Sequence, residues 1–398
     1  MRTLTLPIKP HVNQFPLIRP TARFNVIAAG RRYGKTESQK LRAIYMVLEG
    51  NVVWWVNPTF DNTTETWREF LAFFEPVASK VDRSRREILL ANGGSIRMIG
   101  ANNFKRGSGI HHVFIDEAAF IDLADLWDYQ LRPMLLDNEN TGATFLSSTN
   151  GRNMFWSLYQ RGLDPAETEW QSWHFTSYDN PLLNANEIED IKRNTPERVF
   201  LQEYMAEFLE DGGAVFRNIM ACIGAVPKNK TGAVVMGVDW ARHEDYTVLY
   251  AIDTIAHKVI DFDRFNQIDW TLQRDRLLTM ARRWSVQTIM AEANSIGEPN
   301  IEELQKTGLH VIGFTTTAAS KQQIINQLAL AFEQKDITIP NDPVLIAELQ
   351  AYTLERLPSG NFRYTAPTGL HDDCVMALAL AWHCVVHGQV KIQIGHYA

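Results

Sequence analysis

The chain has little of what marks a secreted, zinc-bound or membrane-spanning protein. Its only cysteines are Cys222, Cys374 and Cys384. They form no C-x-x-C pair, which excludes zinc-ribbon spacing and fits a reducing compartment without disulfides. No apolar run reaches the roughly 18 residues that a membrane span requires. The most apolar stretch, 374–386, is interrupted by Trp382 and His383 and predicts a buried helix. The opening sequence MRTLTLPIKPHVNQFPLIRP has no apolar core before a small-residue cleavage site, so no secretory signal is expected. A basic excess is also missing. The formal net charge of −7 excludes a uniformly basic nucleic-acid binder and confines any DNA contact to local patches.

What is present is the composition of a folded chain, 45% hydrophobic and 21% charged, without repeats or low-complexity tracts. Its 398 residues exceed one ordinary core, so two domains are expected. From Phe24 the pattern is strand, glycine loop and helix, and further apolar strands are expected at 51–57, 95–100, 112–116 and 143–148. Strands alternating with helices imply an α/β unit with a mainly parallel sheet. A second series opens with AVVMGVDWA, YTVLYAID and HKVIDFDRF, a meander of three strands. Helices near 270–284, 301–306 and 321–334 alternate with strands QTIMAE and HVIGF, before a closing helix from Asp373. That order predicts a mixed, ribonuclease H-like sheet. The stretch 209–232, rich in glycine and containing Lys228 and Lys230, has linker composition. The expected division is therefore 1–208, linker 209–232, and 233–398.

The first chemical motif is AGRRYGKT, 29–36. Its backbone at Ala29, Gly30, Arg31, Arg32, Tyr33 and Gly34 would cradle phosphates at a helix N-terminus. Lys35 would reach the β and γ phosphates of ATP, and the Thr36 hydroxyl would hold Mg²⁺. Ala29 stands where this motif carries its first glycine. In HHVFIDEAAF, 111–120, an apolar strand ends in two carboxylates. Adjacent strand residues point in different directions, so Asp116 can serve the metal while Glu117 orients the attacking water.

The second half places acids at strand ends and at a helix start. Asp239 ends GVD, Glu292 ends IMAE, and Asp372 and Asp373 open HDDCVMALALAW. Cutting a phosphodiester with two Mg²⁺ or Mn²⁺ ions needs such convergence, with ions roughly 3.5–4 Å apart. An aspartate at a helix start ordinarily caps free N–H groups. One of Asp372 and Asp373 can therefore cap while the other binds metal, and Asp373 is the favoured ligand. Asp245 and His371 are candidate supports.

These motifs resemble the large terminase subunits of tailed bacteriophages. AGRRYGKT, HHVFIDEAAF, FLSSTNG, TSYDNP and FLQEYMAEF are similar to their ATPase; GVDWARHEDYTV, AEANSIGEP and GLHDDCVMALALA are similar to their ribonuclease H-like nuclease. The resemblance implies a packaging motor that drives double-stranded viral DNA into the procapsid by ATP hydrolysis, and an endonuclease that cuts concatemeric DNA. It places Arg31 inside the phosphate loop, Thr149 in the Ser-Thr coupling motif and Gln14 on adenine. It leaves open whether Arg31 or Arg106 is the arginine finger. Met376 stands where many relatives carry a further acid. The implied partners are a portal protein, a small terminase subunit and further copies of the chain in a ring of five; the free chain could be a monomer. The implied location is the host cytoplasm, with transient docking on the portal vertex and absence from the mature virion. The basic clusters Arg83, Arg85 and Arg86, then Lys192 and Arg193, then Arg274, Arg276, Arg282 and Arg283 define no DNA path. The alternatives are a translocase or helicase-like motor whose second domain binds DNA without cutting, and an assembly protein with degenerate sites.

Overall fold

The computed structural model describes residues 6, 9–104, 109–136, 140–209, 214–241, 246–294, 297–356, 362–365 and 371–388. They divide into two compact units. One comprises Met1–Arg193, Glu197–Asp211 and Arg356–Asn361; the other comprises Asn194–Pro196, Gly212–Glu355 and Phe362–Ala398.

The first unit is built on strands β1 (Phe24–Ala29), β2 (Val52–Asn57), β3 (Ala78–Asp82), β4 (Glu87–Leu90), β5 (Ser95–Gly100), β6 (His112–Asp116), β7 (Gly142–Ser147) and β8 (Trp170–Phe175). Their spatial order is β3-β4-β5-β2-β6-β7-β1-β8. The run from β5 to β8 is parallel, while β3 and β4 add an antiparallel hairpin. Strands β1, β6 and β7 are buried at every residue, as a sheet covered on both faces requires. Alternation then sorts their side chains. Val26 and Ala28 enter one core with Phe145, whereas Ile27 and Ala29 enter the other with Leu146 and the helix Lys35–Leu48. The β3–β4 hairpin and β8 were not expected from sequence, because ASKVD and WQSWHF are largely half-exposed edge segments without a strong apolar period.

The second unit carries β9 (Val234–Asp239), β10 (Thr247–Asp253), β11 (Lys258–Phe265), β12 (Thr288–Glu292) and β13 (Val311–Phe314), in the order β11-β10-β9-β12-β13. The first three are antiparallel, and β9, β12 and β13 are parallel, which is the expected ribonuclease H-like arrangement. The closing helix Asp373–Gly388 is Ala- and Leu-rich, and residues 373–382 are all buried. A helix apolar on every side is a core helix. It lies so close to β9 that a Cβ at Gly237 would stand 2.1 Å from the Ala377 carbonyl oxygen and 2.3 Å from the Ala381 nitrogen. Phe216, Ile219 and Cys222 pack into the same core. Among the described residues no helix is long and apolar enough to cross a membrane.

Candidate nucleotide and carboxylate sites

The phosphate loop leaves β1 and enters the helix Lys35–Leu48 through Gly34, whose φ of 95° lies in the left-handed region. Ala29 is tolerable in the first glycine position because it is still a strand residue, paired with Phe175 and fully buried. The demand for glycine falls one residue later. A Cβ at Gly30 would meet the Tyr204 carbonyl at 2.2 Å and the Ser177 nitrogen at 2.8 Å. The loop is held from outside as well. Ser177 Oγ donates to the Arg31 carbonyl at 2.6 Å, and Asn180 Nδ2 donates to the Arg32 carbonyl at 2.7 Å. Tyr33 is buried, stacks on Phe175 and donates its hydroxyl to the Asn13 carbonyl at 2.8 Å. Gln14 is only 3% exposed; its amide donates to the Gly34 carbonyl at 2.7 Å and its oxygen accepts from His11 N at 2.9 Å. In this geometry Gln14 supports the loop backbone.

Strand β6 ends beside this loop. Thr36 Oγ1 lies 3.4 Å from Asp116 Oδ1, which also accepts from Glu117 N at 3.0 Å. Burial, and then the neighbouring Glu117, push the Asp116 carboxyl up to about 7, against the pull of Lys35. A hydroxyl and a carboxylate at this distance are the hard oxygen donors that suit Mg²⁺. Glu117 has a left-handed backbone, φ 53°, unusual for a residue with a side chain. Its carboxylate reaches Ser147 Oγ at 3.4 Å and Lys35 Nζ at 3.8 Å. Arg31, Lys35, Asn62, Glu117, Gln130 and Ser148 border a cavity of about 740 Å³, within the range of nucleotide-sized pockets. Arg31 is turned to Glu203, 2.6 Å away. Thr149 is fully buried, with its Oγ1 3.1 Å from the Gln202 carbonyl and 2.7 Å from that of Glu207. It links the end of β7 to the FLQEYMAEF segment. Arg106 lies outside the described residues, as does Asp245.

In the second unit β9 and β12 are adjacent and parallel, with Ala291 opposite Val238. Asp239 and Glu292, the last residues of these strands, consequently lie at the same end of the sheet. Asp239 is 8% exposed; burial, then Glu292, then Asp373 and Asp372 hold its carboxyl well above the usual range. Asp373 Oδ2 accepts from Tyr246 N at 2.9 Å and lies 3.8 Å from His371 Nδ1. Asp372 Oδ2 accepts from Lys321 Nζ at 2.9 Å. Among the described residues no three His, Cys, Asp or Glu side chains are gathered tightly enough to hold an ion. Asp239 lies within side-chain hydrogen-bond reach of Glu292, and Asp373 and Asp372 add like charge to the same group. The donor set is all oxygen, which fits Mg²⁺ or Mn²⁺. Met376 is buried in the core beneath the cluster.

Sequence reasoning assigned no role to Glu203 or to the Tyr246 N–H, although FLQEYMAEF and GVDWARHEDYTV contain them, and it missed Lys321 and Glu348, which belong to no motif. Four residues of the basic clusters are paired with acids. Arg83 meets Glu75, Arg193 meets Asp190, Arg276 grips Asp263 through two nitrogens, and Arg283 meets Asp261.

A mainly parallel sheet with a phosphate loop, followed by a ribonuclease H-like sheet with acids at adjacent strand ends, defines a nucleotide hydrolase joined to a nuclease. Comparison with known families agrees. Residues 26–221 match "Terminase large subunit, T4likevirus-type, N-terminal", and residues 236–383 match "Terminase RNaseH-like domain". The chain belongs to the large terminase family. It is 25% identical to the large terminase subunit of Thermus virus P23-45, across 95% of this chain and 88% of that one. It is 32% identical to that of Escherichia phage T5 across 52% of this chain and 50% of the other. A solved large terminase from a thermophilic bacteriophage shares the fold, with a TM-score of 0.60 and 12% identity over 94% of this chain and 98% of that one.

Proposed function

We propose that this chain uses ATP hydrolysis in residues 1–208 to move double-stranded viral DNA into a procapsid, and uses residues 233–398 to cut that DNA at the start and end of packaging. The observation that carries the reading is the pairing in one chain of a phosphate loop facing Asp116 and Glu117 with adjacent parallel strands of a second sheet that end in Asp239 and Glu292. In the first site the loop backbone and Lys35 bind the ATP phosphates, and Thr36 and Asp116 hold Mg²⁺. Glu117, beside Lys35 and Ser147, orients water in line with the γ-phosphate. Arg31 turns from Glu203 towards phosphate, or Arg106 is supplied from a neighbouring copy. In the second site Asp239, Glu292 and Asp373, with Asp372, hold two Mg²⁺ or Mn²⁺ ions. Bound there, the ions supply charge that activates water and stabilises the leaving oxygen.

The proposed partners are the DNA, a portal protein, a small terminase subunit and copies of the chain in a ring of five, working in the host cytoplasm. Met376, buried in the core where a further acid could have joined the set, favours one second reading, a motor whose second domain binds DNA without cutting. Plasmid cleavage decides between them. Mn²⁺-dependent nicking that disappears in Asp239→Asn supports cutting; no nicking by the wild-type chain at any Mn²⁺ concentration leaves the motor alone.

A further inference from the structure

The closing helix is begun by a side chain from another element. The first N–H groups of a helix lack acceptors within it, and an aspartate at the start is the ordinary remedy. Here Asp372 is turned to Lys321, and Asp373 accepts from Tyr246 N. The Cys374 and Val375 N–H groups donate to Glu348 Oε2, at 2.8 and 3.3 Å. Glu348 comes from the helix Pro343–Ala351, which the sequence reading did not anticipate, and is 7% exposed. Its other oxygen is buried without a hydrogen-bond partner. A buried carboxylate is costly unless fixed donors compensate it; the positive end of a helix supplies such donors.

We propose that Glu348 is a positioning residue of the carboxylate centre: it caps the closing helix from outside, so that Asp372 and Asp373 serve the metal site instead of their own helix. The inference rests on the proposed cutting role. Tyr250 lies beside the Cys374 thiol and pairs with Gly237 across β9 and β10. Cap, helix start and the strand bearing Asp239 thus form one packed block.

The test is Mn²⁺ binding to the full chain, followed by the electron paramagnetic resonance of unbound Mn²⁺, with ATP affinity as the internal control. Glu348→Met removes the acceptor and should weaken Mn²⁺ binding by about tenfold or more, the usual scale for groups that orient metal ligands. Glu348→Gln keeps an acceptor oxygen and should stay within about twofold of wild type, with ATP affinity unchanged in both. Wild-type Mn²⁺ affinity in Glu348→Met overturns the inference, as does a Glu348→Gln defect as large as that of Glu348→Met. Should Glu348→Met not fold, Glu348→Asp, which withdraws the carboxylate by one methylene, replaces it. A smaller weakening supports the cap, and unchanged Mn²⁺ binding overturns it. The cutting reading fails separately, if wild type and Asp373→Asn bind Mn²⁺ equally.

Discussion

The two sites are assembled in opposite ways. The phosphate loop is eight consecutive residues, 29–36, braced from outside by bonds such as Gly30 N to the Phe175 carbonyl, at 3.0 Å. The carboxylate centre draws Asp239, Glu292 and Asp373 from three elements, and the approach of the closing helix to Gly237 brings them near one another. A contiguous site carries its phosphate-binding groups in one stretch of chain. A site made by packing inherits every fault in the core beneath it.

The largest effects should separate the two activities. Glu117→Gln removes the group that orients water, and ATP turnover should fall by about 10²–10⁴-fold, with Mn²⁺-dependent plasmid cutting intact. Asp373→Asn should do the reverse. A folded single variant that loses both activities would break the separation. Next in size is Gly237→Ala. Its Cβ would collide with backbone of the closing helix, which cannot rotate aside as a side chain can. Overpacking of this kind costs about 1–3 kcal/mol. Cutting and the thermal midpoint of the second unit should fall together, while ATP turnover stays within about twofold of wild type, as expected for independent sites.

The same contrast governs what could be read from the sequence. Phosphate chemistry at 29–36 and 116–117 was legible because the spacing of a contiguous motif fixes its geometry. The strands ending in Asp239 and Glu292 were legible too, since each is an apolar run closed by an acid. What holds those acids was not. Lys321 and Glu348 are ordinary helix residues in the sequence, and their meaning depends on which helix start they reach in space. Nor does periodicity reveal that Gly237 is a contact point, because the demand for glycine comes from residues 377 and 381.

A smaller effect belongs to the second unit's scaffold. Asp253 ends β10 and is 1% exposed. Burial alone would raise its carboxyl, but N–H donors from Ala256, Thr231, Ile255 and Gly232 outweigh it and hold the group at about 2. A carboxyl depressed on folding stabilises the protein above its unfolded value, and that contribution disappears as pH falls through the folded one. The wild-type second unit should therefore lose about 2 kcal/mol between roughly pH 4 and pH 2. Asp253→Asn should be less stable at pH 7 by a similar amount and lack this acid-dependent loss. Equal acid sensitivity in the two proteins would show that another carboxylate is responsible.

The smallest effect tests a feature that both sites share. Each turns a cation to a carboxylate, Arg31 to Glu203 at 2.6 Å and Lys321 to Asp372 at 2.9 Å. The proposed roles are reversed: the ATP site requires the cation, and the metal site requires the carboxylate. Arg31 has a 62% exposed side chain, so its ion pair contributes about 0–1 kcal/mol and Glu203→Gln should barely move the thermal midpoint. The same small term should appear in ligand binding, because Arg31 no longer has to leave a partner before meeting phosphate. ATP should bind Glu203→Gln up to about threefold more tightly, the equivalent of a weak exposed pair. Unchanged ATP affinity would place Arg31 outside the binding step and leave Arg106 as the candidate finger. Lys321→Met offers the matching probe, measured as Mn²⁺ affinity: removing the ammonium should tighten binding if Asp372 is a ligand, and leave it unchanged if Asp373 serves without it.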